Sequence, residues 1–443
     1  MSIDTGTQLD LVDQYADVLD LNWRRRCHLM RSHVVNFSAL VNWDERIRIS
    51  MTALKELDAC ARPQLRRRLN EPLLAGELFS IGLYGFLVND TDLIQATNAI
   101  ARSLPHLNAA WFAAMQWAPS SDCLQQTIGH LAVDQQMEIL ASRRGNAAKS
   151  TIQIQHLFER ANAAPMNLET IRAALTLVRV MADKTRLSVA NYFLSHEHAG
   201  VRLDAARAVL VLGSGRDQRH SSFDVLISLV EGEDFVLREL AIQSLALHWD
   251  DPQVVRTKVT TVLQRLADRC PHSDERYELA RLYLRMLGWL GQVDGIEVLV
   301  HNLNGPHRRT AAASLSLITG SDPLRDGWQG QAAESLQIHA DSDNDHIPSI
   351  HAEHGMLWPD KTGFERWWTQ NAERFDAKRR YFAGNSLTAG MLEQAYWQSP
   401  LAWRPWIAEH LQRLTHQAMM PWDAPAWLQK GSNASLKESI YVQ

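Results

Sequence analysis

One short pattern constrains this chain more than any other: an alanine and a leucine four residues apart, returning at intervals of about 30 to 40 residues. VRLDAARAVLVLG carries Ala206 and Leu210, and VLRELAIQSLAL carries Ala241 and Leu245. YELARLYLRMLGWLG carries Ala280 and Leu284, and HRRTAAASLSLITG carries Ala311 and Leu315. Residues four apart share one helical face, where the small side chain lets a second helix approach and the larger one fills the gap. Between these segments lie further apolar stretches at helical spacing, with Val225, Leu226, Leu229 and Val230 in one and Val259, Val262, Leu263 and Leu266 in the next. Each repeat therefore reads as an antiparallel helix pair. Turn-forming clusters at Gly213 to Gly215, Asp250 to Pro252 and Gly305 with Pro306 set the cut points.

Two-helix repeats of this length resemble HEAT and armadillo repeats, and LGWLGQVDGIEVLVHNL is similar to the HEAT variety in particular. The fold expected is all-α, an α-solenoid of HEAT-like helical hairpins with a helical, Trp-rich C-terminal cap. Residues 1–150 read as irregular helical hairpins, with Ile47, Met51, Leu54 and Leu57 on one stripe and Leu65 and Leu69 on the next. Residues 151–330 hold the regular repeats, and 331–355 form an acidic loop or linker that marks the expected domain boundary. Residues 356–443 form the tail, with Trp358, Trp367, Trp368, Trp397, Trp403, Trp406, Trp422 and Trp427, more than half of the chain's 15 tryptophans. Sustained alternation of β-branched residues, the mark of strands, is scarce throughout.

A formal charge of -5 gives no global cationic excess to draw the chain onto phosphate backbones or anionic lipid. The opening MSIDTGTQLDLVDQYADVLDL is acidic where an export signal is basic, so a cytoplasmic protein is expected. LFSIGLYGFLV, Leu78 to Val88, is the longest apolar stretch and about half the roughly 20 residues needed to cross a bilayer. Cys27, Cys60, Cys123 and Cys270 lie far apart without a CxxC pair and read as reduced thiols.

The candidates for chemistry fail on spacing. Asp341, Asp343 and Asp345 begin like a calcium loop, but His346 stands where its turn needs glycine and Ala352 where its bidentate glutamate belongs. His346, His351 and His354 offer imidazoles without a thiolate or a supporting shell. Neither a GxSxG elbow nor a phosphate-binding glycine loop is present. Carboxylates such as Glu231, Glu233, Asp234 and Glu239 read as helix-terminal and surface charges. The basic clusters Arg24 to Arg26, Arg66 to Arg68, Arg308 with Arg309, and Lys378 to Arg380 are scattered and lack interleaved aromatics, so no nucleic acid is expected. Arg24 to Arg26 instead suit an ion-paired helix face with Asp44 and Glu45. No cofactor, metal or catalytic residue is assigned.

The segments WRRRCHLMRSHVVNFSALVNWDERI, GELFSIGLYGF, SLSLITGSDP and WPDKTGFERWWTQNAERFDAKRRYFAGNSLT together resemble a family of bacterial HEAT-repeat proteins encoded near type VI secretion genes. The most specific piece is WWxxNxxRF, here Trp367, Trp368, Asn371, Arg374 and Phe375, followed by Arg380 and Tyr381. The resemblance implies an association with secreted toxins or their loading; together with the lack of an assignable active site it leads to the expectation of a non-catalytic, protein-binding scaffold, an adaptor or chaperone whose partner is a secreted toxin or a spike component. The alternative is an immunity protein that blocks a cognate toxin; a HEAT-like enzyme ranks below both. Tryptophan and arginine suit interface hot spots, which makes Trp367, Trp368, Arg374, Trp403 and Trp406 the partner-binding candidates. Most tail rings are expected to cap the apolar end of the solenoid, with Trp403 or Trp406 as the exposed exceptions.

Overall fold

The computed structural model describes residues 5–143, 167–213, 215–270, 272–331 and 356–430. The acidic stretch with Asp341, Asp343, Asp345, His346, His351 and His354 lies outside them. The fold is all-α, and the chain divides into two compact units. Unit 1 takes Met1–Arg31, Val35–Leu177 and Met420–Tyr441; unit 2 takes Ser32–Val34, Val178–Met419 and Val442–Gln443.

Unit 1 contains α1 (Thr5–Leu29), α2 (Phe37–Glu56), α3 (Asp58–Arg68), α4 (Ala75–Val88), α5 (Thr91–Ser103), α6 (Asn108–Trp117), α7 (Asp122–Gly129) and α8 (Val133–Ser142). Its centre is α4, which packs against α1, α2, α5 and α6. Leu78 through Phe86 are all buried, as a helix apolar on every side must be. The stretch too short to span a bilayer is thus a core helix. Gly82 lets Trp111 and Ala114 approach, and Gly85 does the same for Ile94. The predicted stripe in α2 faces inward, with Ile47, Met51 and Leu54 buried.

Helix α9 (Leu168–Met181) runs from unit 1 into unit 2. The repeats follow as α10 (Leu187–Tyr192), α11 (Ala199–Leu212), α12 (Arg216–Glu231), α13 (Phe235–His248), α14 (Pro252–Arg269), α15 (Ser273–Leu290), α16 (Ile296–His301) and α17 (Arg308–Thr319). Helices α11, α13, α15 and α17 form one layer of successive neighbours, and α12 and α14 pair behind them. This is the alternation that the Ala and Leu pattern predicts. Ala206, Leu210, Ala241, Leu245, Leu284, Ala311 and Leu315 are buried.

Ala280 is exposed, which corrects the third repeat. Helix α15 has 18 residues against 14 in α11 and α13, so a position counted from its start falls a turn early. The close approach there is made by Gly288, where a Cβ would sit 2.9 Å from Ser314 Cβ. A second repeat feature escaped the sequence reading. Arg202, Arg238 and Arg276 each reach back to the carbonyls that close the preceding segment: His196 and Glu197, Val230 and Gly232, and Cys270. Helix C-termini carry unsatisfied carbonyls and negative potential, and a guanidinium answers both.

Beyond α17 the chain pairs with itself across the undescribed stretch. Gly330 N donates to Trp358 O at 2.7 Å and Asp360 N to Trp328 O at 2.7 Å. The segments either side of the acidic stretch thus belong to one unit. Then come α18 (Lys361–Asn371), a hairpin of β1 (Tyr381–Phe382) and β2 (Asn385–Ser386), α19 (Ala389–Gln398) and α20 (Arg404–Thr415). The hairpin loop, Ala383 and Gly384, has φ of 50° and 79°, the two-residue turn whose twist matches paired strands.

This hairpin docks on the ends of two inner helices. Tyr381 N donates to Gly291 O, and Ala383 N and Gly384 N donate to Leu317 O and Ile318 O. Gly291 and Gly320 cap α15 and α17 in the left-handed conformation, and a side chain on either would strike hairpin backbone. Gly327 has φ 73° with nothing within 4 Å of its would-be Cβ, against φ 69° at Gly320. Both Gly→Ala variants pay about 1 kcal/mol for the left-handed backbone. Gly320→Ala is expected to lose about 1–3 kcal/mol more by displacing the hairpin. Urea midpoints of the two variants measure that difference.

Candidate functional site

The WWxxNxxRF element is built on α18. Asp360 caps its start by accepting from Thr362 N and Gly363 N, both at 3.1 Å. Phe364 is fully buried against Trp328, ring centroids 5.1 Å apart, and sets which face points inward. Trp367 and Trp368, three and four residues on, are half-buried above it. A ladder of rings continues from Trp368 to Phe375 at 5.3 Å and from Phe375 to Tyr381 at 5.0 Å. Tyr381 Oη accepts from Asp376 N at 2.7 Å and locks the turn between them. Asn371 Nδ2 donates to Trp367 O, and its Oδ1 accepts from Arg374 Nη1 at 3.0 Å. Phe364, Phe375 and Tyr381 are buried and anchor the element, while Trp367 and Trp368 are half-buried and Arg374 is exposed.

The five candidates do not form one patch. Trp403 is 6% exposed, packed edge-on to Phe382 of the hairpin, so its expected exposure is not met. It closes the short turn that opens α20, and the hairpin covers it. Trp406 is half-buried against Trp289, centroids 5.9 Å apart. The tail ring that is exposed is Trp427, in unit 1, at 39%. The basic clusters are largely engaged within the chain. Arg66 pairs with Asp90 at 2.9 Å and Arg68 with Asp13 at 2.8 Å. Arg308 and Arg309 both lie over the Trp358 ring, at 4.8 and 4.9 Å. The expected pairing of Arg24 to Arg26 with Asp44 and Glu45 is met only in part: Arg26 Nε meets Asp44 Oδ1 at 2.7 Å, both buried, while Arg24 pairs with Asp20 and Glu45 with Arg48.

Sequence reasoning missed a buried charge cluster on α20. Glu409 Oε1 accepts from Arg179 Nη1 of α9 at 3.2 Å and from Arg207 Nη2 of α11 at 2.6 Å. Its Oε2 lies 3.4 Å from His248 Nε2 of α13. The neighbouring Gln412 donates to Arg179 O and Val180 O. Arg413 donates to Leu247 O at 3.1 Å and pairs with Asp250. Burial alone would raise the Glu409 carboxyl, but the Arg207 and Arg179 charges and the His248 contact outweigh it and hold the group well below its ordinary range. Burial drives His248 down, against the opposing pull of the Glu409 carboxylate.

Arg380 completes the arrangement from the hairpin side. Its guanidinium donates to Leu290 O at 2.9 Å, to Ala246 O, and at longer range to Trp249 O and Trp289 O. One half-buried cation thus caps the ends of α13 and α15 together, and desolvation pushes it down to about 9. The signal in the sequence was faint: Glu409 and His410 together inside the apolar run Ile407, Ala408 and Leu411. The partners of Glu409 are contributed by three earlier helices.

Among the described residues no group of three His, Cys, Asp or Glu is placed to hold a metal ion, and no helix is long and apolar enough to cross a membrane. The fold and these sites define an all-α protein of repeated hairpins with residues 356–419 fastened back on the repeats. A comparison with family models and with curated proteins finds no match to the chain.

Proposed function

We propose that this protein is a binding scaffold whose partner meets the outer surface of α18 and the turn after it, through Trp367, Trp368 and Arg374. The observation that carries the reading is the division of labour within that element. Phe364, Phe375 and Tyr381 are buried and anchor it, while two half-buried tryptophans and an exposed arginine stay partly open to solvent. Half-buried tryptophans held by packing lose little side-chain entropy on binding, which is why such groups dominate interface energies.

The resemblance to HEAT-repeat proteins encoded near type VI secretion genes supports a cytoplasmic accessory role, as adaptor or chaperone for a secreted toxin or spike component. Deletion of the gene is then expected to abolish delivery of one toxin while leaving the producing cells resistant to their neighbours. Sensitivity to neighbours with delivery intact would instead identify an immunity protein. Re-expression of a Trp367→Ala, Trp368→Ala, Arg374→Ala variant at normal level is expected to leave the defect in place. Full restoration would remove this surface from the mechanism.

A further inference from the structure

His248 and His410 are both buried, at 0% and 1% exposure, where α20 meets the inner helices of unit 2. His248 Nδ1 and His410 Nε2 make no hydrogen bond among the described residues. The charges around them are mostly positive. Helix α9 contributes Arg179, α11 Arg207, and α12 Arg219, whose Nη2 donates to His248 O at 2.7 Å. The hairpin contributes Arg380, and α20 itself Arg413 and Glu409. Asp250 follows α13 and pairs with Arg219 and Arg413. Helix α19, packed on another side of α20, carries Glu393. Glu409 and Asp250 thus face five guanidinium groups, with the buried imidazoles His248 and His410 among them and His416, which caps α20, beside Lys184, Arg219 and Arg413.

We propose that this junction is an acid-operated fastening, in which mild acidification loosens α20 from the inner helices before the helical hairpins themselves unfold. A proton on His410 would place another cation on a buried ring beside Arg380 and Arg413, which is unfavourable; at His248 burial acts the same way and outweighs the opposing Glu409 carboxylate 3.4 Å away. Released to water, each ring takes up a proton below about pH 6.5. Acid therefore favours the loosened state, by up to about tenfold per pH unit for each ring that stays neutral when buried. Burial and the Arg380 and Arg413 charges hold His410 well below its ordinary value, in keeping with this sign. Glu409, held ionised by its arginines, keeps its charge in the same window.

Hydrogen exchange on the full chain, corrected for intrinsic rates, tests this at about pH 7 and about pH 5. Protection of residues 407–412 is expected to fall on the order of tenfold or more, well beyond any change in α14. In a His248→Gln, His410→Gln variant the excess fall is expected to disappear; its persistence would overturn the proposal. Should that variant fail to fold, imidazole resonances of the native protein decide. Rings that titrate near their ordinary value while α20 stays protected contradict the fastening, and rings neutral in the protected state at about pH 5 support it.

Discussion

Replacing Glu409 by alanine is expected to destabilise unit 2 by about 3–5 kcal/mol, the usual cost of stranding buried charge by removing one partner. The side chain is 10% exposed, and its arginine partners are 12% and 13% exposed, so water can do little to rescue them. Glu409→Gln keeps the shape and one acceptor oxygen but removes the charge, and should fall between the two. Removing Arg179, Arg207 and Glu409 together in favour of apolar residues of similar volume should cost far less than Glu409→Ala, because no charge is then left unpaired. Urea unfolding followed by a probe in unit 2 gives the ordering. Equal stability of Glu409→Ala and the native chain would mean the cluster is wetter than its burial states.

The second large effect belongs to unit 1. Arg26 and Asp44 are 5% and 1% exposed at the side chain, and both also hold the returning tail. Asp44 Oδ2 accepts from Ala426 N at 2.7 Å, while Arg26 Nη2 donates to Ala424 O at 2.8 Å and Asp423 O at 3.2 Å. The Arg26 guanidinium also lies 4.9 Å from the Trp117 ring centroid, and Trp117 meets Trp427 edge-on at 5.1 Å. Asp44→Ala is therefore expected to cost about 3–5 kcal/mol and to free residues 423–427 for proteolysis. A cleavage pattern unchanged from the native protein would show that Arg26 alone retains the tail.

These two sites differ in how far the sequence disclosed them. Arg26 and Asp44 lie close in the chain on α1 and α2, a basic cluster followed by an acidic pair, so the ion pair could be anticipated. Its other partners could not: Met420 onward returns to unit 1, and nothing local to Pro421 through Gln429 announces a docking site at the chain's far end. The Glu409 cluster draws on α9, α11, α13 and α20, and no periodicity links Arg179 to a residue 230 positions later.

The repeats were legible for the opposite reason. Close packing of one inner helix on the next needs a small residue at a fixed height, and that need writes itself into the chain at Ala206, Ala241 and Ala311. It misled at Ala280 because α15 is longer than its neighbours and uses Gly288 instead. The hairpin at 381–386 was illegible because two-residue strands are too short to show alternation, and its loop uses Ala-Gly where Asn-Gly would have signalled the turn. The WWxxNxxRF element was visible as a motif, but only the packing of Phe364 and Phe375 separates its anchors from the rings left at the surface. Trp403 was misplaced because nothing in the sequence shows that the hairpin covers it.

The most direct test of the scaffold reading is affinity capture from the native host with quantitative mass spectrometry, comparing the native chain with the Trp367→Ala, Trp368→Ala, Arg374→Ala variant. The variant's fold is checked first by its helical circular dichroism and urea midpoint. The account predicts one toxin-like or spike-like protein on the native chain and a loss on the order of tenfold or more on the variant, as truncating hot-spot residues requires. Equal recovery on both, or no reproducible partner on the native chain, would contradict it.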